Sequence, residues 1–104
     1  MVILTEKDKA FLVRLARSVI EAALDVGQKE CMPDDVSPAV LKKGGCFVTL
    51  HKKGALRGCI GTIEPVQSLL KGVEENAINA AFKDPRFSSL DVEELPDIDL
   101  EVSV

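Results

Sequence analysis

The first apolar residues of the chain recur at the spacing that places side chains on one face of a helix. They are Leu12, Leu15, Ala16, Val19, Ala22, Ala23 and Val26. Thr5 can cap such a helix together with Asp8, three residues further on, in an approximate capping box. Gly27 is a suitable C-terminal stop. The pattern therefore predicts a helix over residues 6–26.

Residues 27–45 lack this periodicity and predict a long loop, because they contain two prolines and several turn-forming residues. Two strand patterns follow, "CFVTLHK" and "ALRGCIGTI", and they predict a β-hairpin with Gly54 in the turn. Whether the turn has two or three residues stays open. In either case, alternation predicts two faces for the second strand. One face carries Leu56, Gly58, Ile60 and Thr62, and the other carries Arg57, Cys59 and Gly61.

A second helical pattern begins at Pro65, a residue that suits the first turn of a helix. Its apolar stripe consists of Val66, Leu69, Leu70, Val73, Ala77, Ala80 and Ala81. One flank of the helix, at spacings of three and four, carries Asn76, Asn79 and Lys83. Pro85 disfavours helical backbone at Asp84, so we expect the helix to end near that residue.

Residues 85–97 predict a second irregular stretch, after which apolar and polar residues alternate strictly. The apolar set of this half-buried strand is Ile98, Leu100, Val102 and Val104. The order helix, hairpin, helix, strand predicts an α+β fold, with an antiparallel or mixed sheet, a central hairpin and two main helices packed on it. A length of 104 residues suits one domain over residues 1–104. The terminal strand could pair with a second copy, so a homodimer is one alternative.

Composition narrows the function classes. The net charge of −4 and the absence of Tyr and Trp argue against a nucleic-acid-binding protein, which needs a basic surface and stacking platforms. No stretch is apolar enough to span a membrane, and the first residues do not resemble a signal peptide. Three cysteines without ligand spacing fit reduced thiols in the cytoplasm. A single histidine, His51, makes a metal site improbable, and no cofactor is predicted.

The hexapeptide "LRGCIG" carries the candidate chemistry. A guanidinium beside a thiol favours the thiolate, so Arg57 and Cys59 on one strand face suggest a nucleophilic or redox cysteine with an anion-binding arginine. Gly58 and Gly61 would let a substrate or another backbone approach closely. The alternative is a small buried cysteine, with the arginine paired to a structural carboxylate.

The candidate site also includes Asn76, Asn79 and Arg86, but not the single histidine. Asn76 and Asn79 could orient polar atoms of a ligand, or they could instead bind backbone groups of the hairpin. Arg86 follows the second helix and could pair with Asp84 or with an acid of "DVEEL". His51 adjoins the hairpin turn, where an exposed histidine is the simpler interpretation.

Three segments together resemble one family: "GCFVTLHKKGALRGCIGTIEP", "NAINAAFKDPRFSSL" and "ELPDIDLEVSV". They are similar to the AMMECR domain family, and specifically to the AmmeMemoRadiSam system protein A family. The resemblance implies an α+β fold with a cleft near the LRGCIG strand, and an association with Memo-type and radical-SAM partner proteins. Members of that family usually continue beyond the last strand found here, so this chain would be shorter than a typical member.

Two functional hypotheses follow. In the first, the protein is an enzyme that binds a small or nucleotide-like anionic ligand, held by Arg57, attacked by Cys59 and oriented by Asn76 and Asn79. Gly58, Gly61 and Arg86 complete that site. In the second, the protein is a non-catalytic interaction module, the glycines let the second helix lie close to the sheet, and the motif face docks a Memo-type or radical-SAM partner.

Overall fold

The computed structural model describes residues 3–104 and confirms the α+β class. Helix α1 spans Glu6–Ala23, strands β1 and β2 span Cys46–Lys52 and Ala55–Thr62, helix α2 spans Leu69–Phe82, and strand β3 spans Ile98–Ser103. The sheet is antiparallel throughout, in the order β2-β1-β3. Two short 3₁₀ helices, Pro38–Leu41 and Val92–Asp97, lie in the connections. No helix in residues 3–104 is long and apolar enough to cross a membrane.

Helix α1 begins as its sequence predicts, with Thr5 and Asp8 forming a complete capping box. The helix ends at Ala23, earlier than predicted, because Asp25 adopts a left-handed backbone with φ of 61°. Asp8 is also fully buried and accepts hydrogen bonds from the Ser37 backbone at 2.7 Å and the Ser37 hydroxyl at 2.6 Å. These bonds lower the pKa of Asp8 to about 2 and fix the long loop against the helix.

The hairpin turn has two residues, Lys53 and Gly54, whose φ angles of 51° and 85° are typical of a type I′ turn. Beyond it the register shifts: His51 pairs with Leu56, but Leu50 pairs with Gly58. Arg57 is therefore the extra residue of a β-bulge. The prediction that Leu56 shares a face with Gly58 is wrong, because the bulge reverses the alternation at this point.

Helix α2 begins later than predicted. Ser68 is its N-cap and accepts a hydrogen bond from the Lys71 backbone, so the placement of Pro65 in the first turn is wrong. Tertiary contacts set this boundary, because the Leu69 amide donates to the Lys42 carbonyl at 3.0 Å. Val66 is 62% exposed and does not belong to the buried stripe. The helix ends at Phe82, close to the predicted end.

Residues 92–97 form a 3₁₀ helix where the sequence predicts irregular structure, and a capping box between Asp91 and Glu94 starts it. Strand β3 shows the predicted alternation, with Ile98 buried and Asp99 and Glu101 exposed. It pairs with β1, which thereby becomes the central strand.

Both main helices cover one face of the sheet, and the apolar core lies between the two layers. The core includes Phe11, Leu12, Leu15, Ile20, Val48, Leu50, Leu69, Val73, Ala77 and Ile98. The opposite face, here called the open face, carries Phe47, Thr49, His51, Leu56, Cys59, Gly61, Asp99, Glu101 and Ser103. Helix packing therefore leaves the motif strand with one covered and one uncovered side.

Candidate functional site

The Arg57 side chain, released from the strand alternation by the bulge, binds a carboxylate of the same chain. Its Nε and Nη2 donate to Glu94 Oε1 and Oε2 at 2.9 and 3.1 Å, and Lys52 Nζ donates to Oε1 at 3.1 Å. Arg57 is 8% exposed, and its guanidinium holds the pKa of Glu94 at about 2. The pairing of Arg57 with a structural carboxylate, one of the two interpretations of the sequence, is the one observed.

Cys59 lies on the open face, half-buried, with its sulfur 3.2 Å from the Thr49 hydroxyl oxygen. The thiol and the Arg57 guanidinium therefore have different partners. The bulge at Arg57 interrupts the alternation on which the predicted shared face rests, so their position side by side stays a prediction.

The backbone of Cys59 is held by two side chains that follow helix α2. Its amide donates to Asp84 Oδ2 at 3.1 Å, and its carbonyl accepts from Arg86 Nη2 at 3.3 Å. Asp84 and Arg86 also bind each other, with 2.7 Å between Oδ2 and Nη2. Since β2 is an edge strand, these two groups occupy the positions that a neighbouring strand would use.

Asp84 and Arg86 are here called the clamp, and Asp84 is its buried member. Its side chain is 2% exposed, whereas that of Arg86 is 56% exposed. The guanidinium of Arg86 and the amide of Cys59 hold the pKa of Asp84 well below its usual range. Pairing between Arg86 and Asp84, an option that the sequence left open, is confirmed, and Arg86 lies in contact with the motif strand.

Both glycines of the motif accommodate other parts of the same chain. A Cβ atom on Gly58 would lie 2.1 Å from the Ala80 carbonyl oxygen of helix α2. A Cβ atom on Gly61 would lie 2.0 Å from the Phe47 ring. The space that the glycines create is therefore filled from within, by a helix on one face and by an aromatic ring on the other.

The two asparagines of helix α2 lie in different surroundings. Asn76 is buried, and its Nδ2 donates to the Cys46 carbonyl at 3.0 Å, so it binds the hairpin backbone as the second sequence interpretation proposed. Burial raises the pKa of the neighbouring Cys46 thiol. Asn79 is half-exposed and lines a concavity of about 490 Å³ between the helices, together with Val19, Lys71, Glu74, Glu75, Ile78 and Lys83.

A second concavity, of about 280 Å³, lies at the end of the sheet. It is lined by Gly45, Phe47, Thr62, Ile63, Ser103 and Val104. Neither concavity is lined by residues 56–61, so the cleft expected beside the motif stays a prediction. In the described range, no three His, Cys, Asp or Glu side chains come together as a metal site would require.

Sequence reasoning missed Glu94 as the partner of Arg57. The spacing Asp91 to Glu94 is a capping-box signal, and it would have fixed the turn that presents this carboxylate. The sequence does not indicate which of the acidic residues around Glu94 pairs with Arg57.

A model of the AMMECR1 family matches residues 13–104. The chain belongs to the AMMECR1 family. A protein of Methanothermobacter thermautotrophicus is 50% identical over 89% of this chain and 48% of its own length. A Methanocaldococcus jannaschii protein is 43% identical over 100% of this chain and 52% of its own.

The crystal structure of an uncharacterised protein of Pyrococcus horikoshii has the same fold, with a TM-score of 0.86 and 40% identity. That match covers 97% of this chain and 52% of the other. This AMMECR1-family chain thus spans about half the length of the relatives that it matches.

Proposed function

We propose that this chain is a non-catalytic protein-interaction module, in which the LRGCIG motif builds the scaffold and the open face of the sheet docks a partner. One observation carries the proposal: the distinctive groups of the motif are engaged inside the chain. Arg57 is bound to Glu94, the backbone of Cys59 is clamped by Asp84, and Gly58 adjoins helix α2. Within residues 3–104, Arg57 Nη1 has no hydrogen-bond partner, but this nitrogen is buried and is not presented to a ligand in solvent.

The open face has the composition of a docking surface. Phe47 and Leu56 are 40% and 42% exposed on it, and Ile63 and Val104 are exposed beside its end. Phe47, Ile63 and Val104 lie together at one end of the sheet, and Leu56 lies at the other end of β1, opposite His51. Exposed apolar side chains with a polar surround are typical of interaction sites. The partner class is the one that the family resemblance implies, a Memo-type or radical-SAM protein.

The test is binding of this chain to purified Memo-type and radical-SAM proteins, measured by surface plasmon resonance. Leu56→Asp should weaken binding at least about tenfold, because it places a charge among the contacts. Val92→Asp is the matched control, since Val92 is 44% exposed but lies on the second 3₁₀ helix. Absence of binding by the unmodified chain, or equal losses in the two variants, would contradict the proposal.

A second candidate, a site with Cys59 as nucleophile, is favoured by one contact. The Arg86 guanidinium binds the carbonyl of Cys59, which brings a cation to a half-exposed thiol. The alkylation rate of each cysteine against pH, read by peptide mass spectrometry, separates the two functions.

On the docking proposal, exposed Cys31 reacts first, half-buried Cys59 follows, and buried Cys46 reacts only on unfolding. A Cys59 that reacts faster than Cys31, with a midpoint well below about 8.5, would establish an activated thiolate instead. Cys59→Ser would then abolish an activity, whereas it should leave docking intact.

A further inference from the structure

The larger concavity, between helices α1 and α2, is here called the helix concavity. Its volume of about 490 Å³ falls within the range of small-molecule sites. Val19 of α1 and Ile78 of α2 supply apolar surface, and the other lining side chains are polar or charged. Because the helices cover the side of the sheet opposite the open face, this concavity is separate from the proposed docking surface.

The loop that follows α1 is tied to the helix concavity at Glu74. Lys29 of this loop forms an ion pair with Glu74, which is one of the lining residues. The next residue, Glu30, donates its backbone amide to the Ser18 hydroxyl at 2.9 Å, and the buried Ser18 donates in turn to the Leu15 carbonyl at 2.8 Å. A lining that the chain itself fixes in this way needs little rearrangement to accept a ligand.

Both acids of the helix concavity have donors within the chain. Glu74 is paired with Lys29, and Glu75 Oε2 accepts a hydrogen bond from Gln67 Nε2 at 3.0 Å. A cationic ligand would have to displace these partners, because each carboxylate already has a donor beside it. The two acids therefore do not favour a cation in the concavity.

Three donors of the helix concavity are free for a ligand. In the part of the chain that the structure describes, the ammonium groups of Lys71 and Lys83 have no carboxylate at ion-pair distance, and the Asn79 amide has no hydrogen-bond partner. Asparagine is a mediocre helix former, and Asn76 of the same helix is accounted for by its bond to Cys46. The concavity thus presents two positive charges and an unpartnered amide, although the chain carries a net charge of −4.

The positions of these donors along α2 set the length of a ligand that reaches all of them. Lys71 lies in the first turn of α2 and Lys83 is its C-cap, so helical rise places their Cα atoms roughly 18 Å apart. Asn79 lies one turn before Lys83, and Ile78 lies between the two cations along the helix. Lysine side chains are flexible, so a ligand shorter than this distance can still contact both ammonium groups.

We infer that the helix concavity binds an elongated organic dianion with an apolar middle. The two anionic groups bind Lys71 and Lys83, and the Asn79 amide donates to the group beside Lys83. The apolar middle packs on Val19 and Ile78. This ligand site goes beyond docking on the open face, since no residue of the motif contributes to it.

Sebacate, a saturated chain with a carboxylate at each end, is the probe that tests the inference. It is titrated into the protein while backbone and side-chain amide resonances are followed by NMR. We expect a dissociation constant near about 1 mM, with shifts at Val19, Ile78 and the Asn79 side-chain amide. Decanoate, which has the same chain length but lacks one carboxylate, should bind at least about threefold more weakly. Succinate is too short to contact both lysines and should bind more weakly still.

Exposed lysines permit variants that leave the core intact. Lys71→Gln and Lys83→Gln should each weaken sebacate binding at least about threefold, because each removes one of the two charge contacts. Lys42→Gln makes the same charge change at an exposed lysine outside the concavity and should not weaken it. Sebacate that shifts none of the lining resonances at about 10 mM, decanoate that binds as tightly as sebacate, or an equal loss in Lys42→Gln would overturn the inference. None of these results would affect the Leu56→Asp test of docking.

Discussion

At Gly58 the backbone of β2 lies directly against the backbone of helix α2. A Cβ atom at Gly58 would lie 2.1 Å from the Ala80 carbonyl oxygen. Ala80 and its helix neighbours Ala77 and Ala81 are buried. Because backbone in a packed helix moves little, a side chain at this position must displace the whole helix. The motif glycine thus sets the distance between the two layers.

We expect Gly58→Ala to lower the free energy of unfolding by about 3 kcal/mol, since it overpacks a rigid contact. Gly61→Ala is the matched control. Its added Cβ would meet the Phe47 ring, which is 40% exposed and can rotate toward solvent, so the loss should be smaller. Urea unfolding of both variants measures the difference, and equal losses would refute the assignment of Gly58 as the spacer.

At the scale of elements, the clamp of Asp84 and Arg86 supplies hydrogen-bond partners to the free edge of β2. A carboxylate accepts the strand amide and a guanidinium donates to the strand carbonyl, as a neighbouring strand would do. Such coverage protects an edge against pairing with other chains. The irregular segment after helix α2 therefore satisfies backbone groups of the β2 edge.

Asp84→Ala should cost about 2 kcal/mol of stability, because it leaves the half-buried Cys59 amide without its acceptor. It should also speed amide exchange at Cys59 and increase aggregation. Asp35→Ala, which removes an exposed ion pair with Lys7, is the control and should cost less than about 0.5 kcal/mol. If Asp84→Ala loses no more stability than the control, the clamp does not stabilise the edge.

Local patterns in the sequence were sufficient for most elements and insufficient for the candidate site. Periodicity predicted both helices, the hairpin and the last strand, because burial of one face dictates it. The bulge at Arg57 left no trace in that pattern, since an extra residue changes register without changing composition. The start of α2 depends on a hydrogen bond from the Leu69 amide to the carbonyl of Lys42, a residue distant in sequence.

Over the whole molecule, several buried or half-buried carboxylates tie loops to the regular elements. Asp8 fixes the long loop to α1, and Glu94 joins the second 3₁₀ helix to the bulge. Their pKa values fall to about 2 from ordinary values of 3.8 and 4.5. Folding therefore favours the ionised forms, and protonation favours the unfolded chain.

The stabilisation that these two carboxylates provide should be constant above about pH 5 and should fall as the pH drops from about 4.5 toward 2, because their folded pKa values lie below the unfolded ones. Glu94→Gln should remove part of this dependence. It should also cost about 3 kcal/mol at neutral pH, since the buried Arg57 loses its counter-charge. Urea midpoints at half-unit pH intervals measure both effects. Glu93→Gln is the control, and a Glu94→Gln profile as steep as that of the unmodified chain would contradict the assignment.

The position of β1 between β2 and β3 has a consequence for the nascent chain. A two-residue turn lets β1 pair with β2 as soon as the hairpin leaves the ribosome, but β3 emerges only after all of helix α2. During that interval the other edge of β1, which presents the backbone groups of Phe47, Thr49 and His51, has no strand beside it. Synthesis of β3 therefore ends the period in which this edge of β1 is open to pairing with other chains.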